Sequence, residues 1–367
     1  MARTALVDLL RRAAAISTVA RQSGEPLDEA IERDLALRTD ASRRRFLRQS
    51  ISASAALMLG ACAPTRLMRT DNLDDVIVVG AGVAGLTAAW RLRQAGVGVK
   101  LYEAQERVGG RMLSLRNHFA DGQVCELGGE LIDSGHARIR ALAGELGLVL
   151  DDLAEDPTHA FGDIWFADGR RYGEVEILRA FAPLAAAIQR DADSLPDEEI
   201  TYATPGGCEA LDQETMSHWL DRNGATGWLR KLIEVAYTTE MGLECEEQSA
   251  LNFLTFIDPG LEAFKIFGES DERFHVRGGN DLIVKALGAK LDDAIQAGCV
   301  LESIRQSADG RYTLSFKRGS ATFDASASRV VLALPFTTLR RVQLDLELPA
   351  AKRRAINELG YGTNAKL

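Results

Sequence analysis

The sequence predicts an α/β protein: one domain built on a parallel sheet, interrupted by an inserted, mainly helical α+β domain. Three observations carry that reading. A short apolar, β-branched run, Asp75 to Val79, leads into glycines at 80, 82 and 85, then a helix and a second strand, the order of a βαβ unit. Later, Val300 to Ile304, Tyr312 to Lys317 and Ala321 to Ala325 alternate like strands, with Asp309-Gly310 and Arg318-Gly319 at the turns of a small meander. Between these, residues 151–270 hold helical runs such as Val175 to Arg190 and Gly227 to Ala236, with few strand signals. A chain of 367 residues with 46% hydrophobic content can bury two such cores.

Taken in order, residues 1–71 read as a targeting signal and N-terminal extension. Leu6, Leu9, Leu10, Ala13 and Ile16 share one helical face, which suits a packing or chaperone-facing helix. Ser42 to Arg48 (SRRRFLR) sets a twin arginine, Arg43 and Arg44, before Phe46 and Leu47, and the small-residue apolar run Ile51 to Ala61 follows. This resembles a Tat export signal; the run is far short of the roughly twenty residues that span a membrane. The resemblance implies passage through the Tat translocase to the periplasm or cell envelope. Leu59-Gly60-Ala61-Cys62 resembles a lipobox, which would tether the protein through Cys62, whereas Ala61-Cys62-Ala63 fits simple cleavage; both readings stand.

Residues 72–150 form the first part of the sheet domain. Gly80 allows the turn out of the strand, Gly82 lets the backbone approach a pyrophosphate, and Gly85 permits close packing of the helix on the sheet. The helix runs from about Val83 to Ala95, with Val83, Ala84 and Gly85 in a first turn whose N–H groups and positive dipole end face phosphate; Gly96 ends it. The second strand, Val97 to Tyr102, ends at Glu103, with Ala104 beside it, at the offset where a carboxylate accepts ribose hydroxyls. This is a Rossmann-like unit. Gly109, Gly110 and Arg111 then turn the reading from a nicotinamide to a flavin nucleotide, because Glu103 to Arg111 resembles the E-x-x-x-x-x-G-G-R element of the flavin amine oxidase superfamily. In that GR2-type FAD-binding fold the arginine meets the pyrophosphate.

The resemblance continues down the chain. Glu126 to Ser134 (ELGGELIDS) resembles the flavin-contacting loop, which implicates Gly128, Gly129 and Glu130. Val276 to Leu287 (VRGGNDLIVKAL) resembles the turn and helix on which the chain returns to the FAD domain, and Arg329 to Pro335 (RVVLALP) the late strand ending in Leu-Pro. Leu301 matches the strand whose backbone meets adenine. Tyr361 to Leu367 (YGTNAKL) resembles the strand whose lysine, here Lys366, holds a water near flavin N5. The family's organisation then makes 151–270 the first part of a substrate domain, 271–340 the second part of the FAD domain, and 341–367 the start of the second substrate-domain part.

What the resemblance implies is FAD-dependent oxidation of a primary or secondary amine, or an L-amino acid, to an imine by hydride transfer to flavin N5, with O2 reduced to H2O2. The family's sequence continues beyond the lysine strand, so the 367-residue chain alone is expected to be weakly active and prone to losing FAD. Two other readings remain: a desaturase or protoporphyrinogen oxidase-like enzyme on the same fold, and a non-catalytic flavin-binding protein.

Composition narrows the partners. A net charge of −10 argues against nucleic acid, which needs clustered Lys and Arg. Cys125, Cys208, Cys245 and Cys299 form no C-x-x-C pair, and the histidines at 118, 136, 159, 218 and 275 lie at no metal-ligand spacing. No metal and no catalytic histidine is expected.

Overall fold

In a computed structural model, the described residues are 16, 20, 26–27, 30–31, 75–153, 165–196, 199–201, 203–256 and 272–365. The twin-arginine segment, Cys62 and Lys366 lie outside them.

The chain enters on β1 (Val76–Val79), α1 (Val83–Gln94) and β2 (Val99–Tyr102), then β3 (Leu113–Leu115), β4 (Cys125–Gly128), α2 (Ala137–Glu145) and β5 (Leu150–Asp152). A helical segment follows: β6 (Trp165–Ala167), β7 (Arg170–Tyr172), α3 (Glu174–Ala192), α4 (Glu209–Gln213), α5 (Met216–Arg222), α6 (Gly227–Met241) and α7 (Ala250–Phe256). The return runs through β8 (Phe274–Val276), α8 (Leu282–Lys290), β9 (Ile295–Gln296), β10 (Val300–Gln306), β11 (Tyr312–Arg318), β12 (Ala321–Ala327), β13 (Arg329–Leu332), α9 (Phe336–Leu339), β14 (Gln343–Asp345) and α10 (Ala350–Glu358).

These elements group into two compact units. The sheet unit takes residues 67–156 and 272–361, and the helical unit takes 157–271 with 362–365 and the N-terminal residues. In the sheet unit, β1 lies between β13 and β2 with all three strands parallel, in the order β13-β1-β2-β9. All four residues of β1 are buried, and their period-two alternation feeds two cores. Val76 and Val78 join the cluster of Leu86, Ile283 and Leu287 from α1 and α8, while Ile77 and Val79 join that of Leu314 and Phe316 from the meander. The meander is antiparallel, with Gly310 and Gly319 at positive φ in its turns. Strands β5 and β8 pair where the chain leaves and re-enters, fastened by Arg273 on Asp152 at 2.5 Å. An insertion needs such adjoining ends.

Residues 341–367, expected to open the second part of the inserted domain, divide differently. Strand β14 pairs in parallel with β10, and Ile356 of α10 is buried in the meander core, so 341–361 belong to the sheet unit. Only 362–365 join the helical unit, where Thr363 N–H donates to the Gly242 carbonyl at 2.7 Å and Asn364 Nδ2 to that of Thr239 at 2.8 Å.

In the helical unit, Trp219, Tyr237, Phe253 and Phe256 pack against one another and are buried, so these aromatics build core. Ile16, Ala20, Ala30 and Ile31 belong to the same buried cluster; Leu6, Leu9, Leu10 and Ala13 lie outside the described residues. Among the described residues, no helix is long and apolar enough to cross a membrane.

Candidate cofactor site

The three fingerprint glycines differ in what surrounds them. Gly80 has φ +102°, and a Cβ there would stand 2.6 Å from the Ala333 carbonyl oxygen. On Gly85 a Cβ would stand 1.9 Å from the Gly80 oxygen, so α1 rests on the turn backbone itself. Around Gly82 a Cβ would meet nothing within 4 Å, and its φ of −73° suits any residue. Two glycines are therefore demanded by the fold, and one keeps open a space beside the helix start. That start carries no acidic residue and no capping side chain, leaving the N–H groups of the first turn without an intrahelical partner. Val83 there is half-buried and Ala84 exposed.

Glu103 is buried, and its two oxygens accept from Ala81 N–H at 2.7 Å and Gln105 N–H at 2.8 Å. One carboxylate thereby fixes both the glycine turn and the end of β2. A cavity of about 420 Å³ brings Gly80, Glu103, exposed Ala104 and Leu301 together, with Tyr102 and Arg341 also on its wall. Burial pushes the Tyr102 phenol above its ordinary pKa, and its ring stacks on Phe316 with centroids 4.2 Å apart.

The glycine pair sits directly on this turn. Gly109 N–H donates to the Ala81 carbonyl at 2.8 Å, Gly82 and Gly109 form a parallel bridge, and both Gly109 and Gly110 have positive φ. Arg107 braces the turn from outside, donating to the Gly110 carbonyl at 2.9 Å. Arg111 is exposed and bonds to no described group. The next layer is as close: a Cβ on Gly128 would stand 2.2 Å from the Arg111 oxygen, and one on Gly129, at φ +73°, 2.7 Å from Met112 Cγ. The structure thus brings every described site residue of the sequence reading into one region, with Glu130 exposed at its edge.

Sequence reasoning missed what supports the 126–134 loop. Glu126, buried on β4, accepts from Ser114 Oγ at 2.7 Å and Asn280 N–H at 2.8 Å, and bonds His275 Nε2 at 2.9 Å. Asp281, also buried, receives Arg116 at 2.6 Å and Lys285 at 2.8 Å. Burial alone would push its carboxyl up, but the hydrogen bonds from Arg116, Lys285 and Ser114 N–H outweigh that and hold it at about 2. A second cavity, of about 640 Å³, is lined by Glu103, Arg107, Met112, Ser114, Asp281 and Lys285 among others. No spacing rule links these residues; the only signal was Asn280-Asp281 following the glycines of VRGGND. Among the described residues no metal-binding group occurs, and the described cysteines are free.

A helix N-terminus facing open space, an unpaired arginine and a buried carboxylate beside a cavity are the donors and acceptors that a dinucleotide needs. Residues 83–367 match the model of the flavin containing amine oxidoreductases, and the chain belongs to that family. Membership of that family makes FAD the cofactor. An L-amino-acid oxidase of Demansia vestigiata is 25% identical over 83% of this chain and 59% of its own length. The flavin-containing amine oxidase A of Sus scrofa is 26% identical over 80% of this chain and 56% of its own. The chain thus spans less than two thirds of these relatives. Cyclohexylamine oxidase from Brevibacterium oxydans shares the fold with a TM-score of 0.61 at 21% identity, over 77% of this chain and 62% of that one. Putrescine oxidase bound to putrescine does so with a TM-score of 0.59 at 22% identity, over 79% and 64%.

Proposed function

We propose that this chain forms the FAD-holding framework of an enzyme that oxidises a primary or secondary amine, or an L-amino acid, to an imine. The carrying observation is the open space at Gly82, bounded by the start of α1, the Gly109-Gly110 turn and Glu103. FAD, when bound, would supply the two-electron redox chemistry that links oxidation of the carbon bearing the amine, giving the imine, to reduction of O2 to H2O2.

The chain's own residues bind and orient. The N–H groups at Val83, Ala84 and Gly85 hold the pyrophosphate at the positive end of α1, and Arg111 neutralises it. Glu103 accepts from the ribose hydroxyls and excludes a 2′-phosphate by charge. Leu301 offers its backbone to adenine at the wall of the smaller cavity, and Gly128, Gly129 and Glu130 face the flavin ring. Lys366, outside the described residues, holds a water near the reacting atom; the family resemblance alone supports that role. Export through the Tat translocase to the periplasm or envelope, with Cys62 as a lipid tether, is proposed from the N-terminal sequence.

The test is an absorbance spectrum of the purified chain, with Gly82→Glu as control, followed by anaerobic addition of amines and amino acids. Flavin bands that bleach with one class name the substrate. Bound flavin that bleaches with none would overturn the oxidase reading, and no flavin uptake even with FAD supplied in excess would overturn the cofactor reading too. Lys366→Met is expected to slow flavin reduction or reoxidation.

A further inference from the structure

We infer that Asn280 is a positioning residue for the cofactor, acting by fixing two consecutive peptide planes in the loop that follows β4. The inference rests on the FAD reading above and adds a residue to it.

Asn280 is wholly buried, and both its amide nitrogen and its amide oxygen are engaged. Its Nδ2 donates to the carbonyl oxygens of Gly129 and Glu130, each at 2.7 Å, while Oδ1 accepts from Val276 N–H at 2.7 Å. The partners fix the amide's orientation, because exchanging O and N would face carbonyls with an oxygen and an N–H with another donor. Its own backbone N–H donates to Glu126 Oε1 at 2.8 Å, so the same residue anchors the strand leading into the loop.

The consequence follows from peptide planarity. In a trans peptide the C=O and the next N–H point in opposite directions, so pinning the carbonyls of Gly129 and Glu130 turns the N–H groups of Glu130 and Leu131 away from Asn280. Gly129, at φ +73°, cannot hold that arrangement by its own sterics, since glycine moves freely between φ signs. A flipped 129–130 peptide would offer a carbonyl where the pinned loop offers a donor, exchanging attraction for repulsion toward any acceptor on the ligand. Asn280 removes that choice before the cofactor arrives.

The discriminating substitution is Asn280→Asp. It keeps the acceptor for Val276 N–H and the backbone bond to Glu126, but sets a carboxylate oxygen against two carbonyl oxygens. Two quantities are measured on the full chain: amide hydrogen exchange of residues 126–134 without FAD, and FAD affinity by fluorescence quenching. Exchange at least tenfold faster in that segment, together with FAD binding at least tenfold weaker, is the expected result. Leu287→Ala, a cavity in the same core, serves as control; it should lower the melting temperature while leaving FAD affinity within twofold. Unchanged exchange in 126–134, unchanged FAD affinity despite faster exchange, or an equal FAD loss in Leu287→Ala would each overturn the positioning role. If the wild-type chain takes up no FAD, the cofactor reading itself fails, which the wild-type titration reveals apart from any effect of the variant.

Discussion

Two neighbouring glycines of one fingerprint should fail in opposite ways when each becomes alanine. In Gly85→Ala the new methyl falls 1.9 Å from the Gly80 oxygen, so helix and turn must separate by more than an ångström to reach ordinary contact. Overpacking of that kind costs about 1–3 kcal/mol. For a unit of this size that corresponds to a fall of roughly 2–12 °C in melting temperature. In Gly82→Ala the methyl meets nothing within 4 Å and the backbone, at φ −73°, accepts it. The stiffer unfolded chain gains about 0.4–1 kcal/mol, and the poorer helix cap gives back a similar amount. Stability should therefore stay within roughly 2 °C, while FAD, whose pyrophosphate needs the space the methyl takes, binds at least tenfold more weakly. Thermal melts of both FAD-free variants and fluorescence titrations with FAD decide it. Equal melting losses in the two variants, or wild-type FAD affinity in Gly82→Ala, would refute the division between a fold glycine and a ligand glycine.

Other perturbations separate support from contact. Glu103→Gln keeps the shape but opposes an NH2 to a backbone N–H, so the FAD-free melt should show a loss of about 1–3 kcal/mol, and the titration at least tenfold weaker FAD. Arg111→Gln breaks no internal bond and should leave stability within about 0.5 kcal/mol; FAD binding should weaken and lose part of its salt dependence. The Asp281 carboxyl, held at about 2 against an unfolded value near 3.9, stabilises the fold fully above about pH 4 and stops doing so as pH falls through 2. Denaturant melts from pH 5 to 2 should show about 2 kcal/mol of acid loss from this group, which Asp281→Asn removes.

Those parts of the site that constrain the backbone locally were legible in the sequence. Gly80 is required by the positive φ of its turn and Gly85 by contact with the Gly80 oxygen, both within one strand-turn-helix, and Glu103 reaches back only to Ala81, so a spacing rule finds all three. The chain after 341 was not legible, because the place of β14 depends on a parallel pairing with β10 some forty residues earlier, and neither strand records its partner. The aromatics of 165–256 carry no sequence signal that separates core from pocket, because burial against one another, as for Tyr237 with Phe253 and Phe256, leaves no periodic mark. The Ser114, Glu126, His275 and Asn280 network joins residues up to 154 positions apart, and each is an ordinary polar residue on its own.

That last separation has a structural consequence for the cofactor site. Glu126 lies buried in the first segment of the sheet unit, but Asn280 N–H and His275, two groups that compensate its burial, come from the segment after the insertion. A carboxylate buried without such donors costs several kcal/mol, comparable to a large share of a domain's net stability. The loop after β4 therefore has two of its buried partners only when β8 and the VRGGND turn are in place. The side-chain bonds from Glu103 to the glycine turn lie within the first segment, whereas the Gly129 and Glu130 carbonyls are held by Asn280 from the second. The Glu103 bonds and the loop after β4 thus draw on different stretches of chain, and the buried Glu126 joins the two segments of the sheet unit through His275 and Asn280.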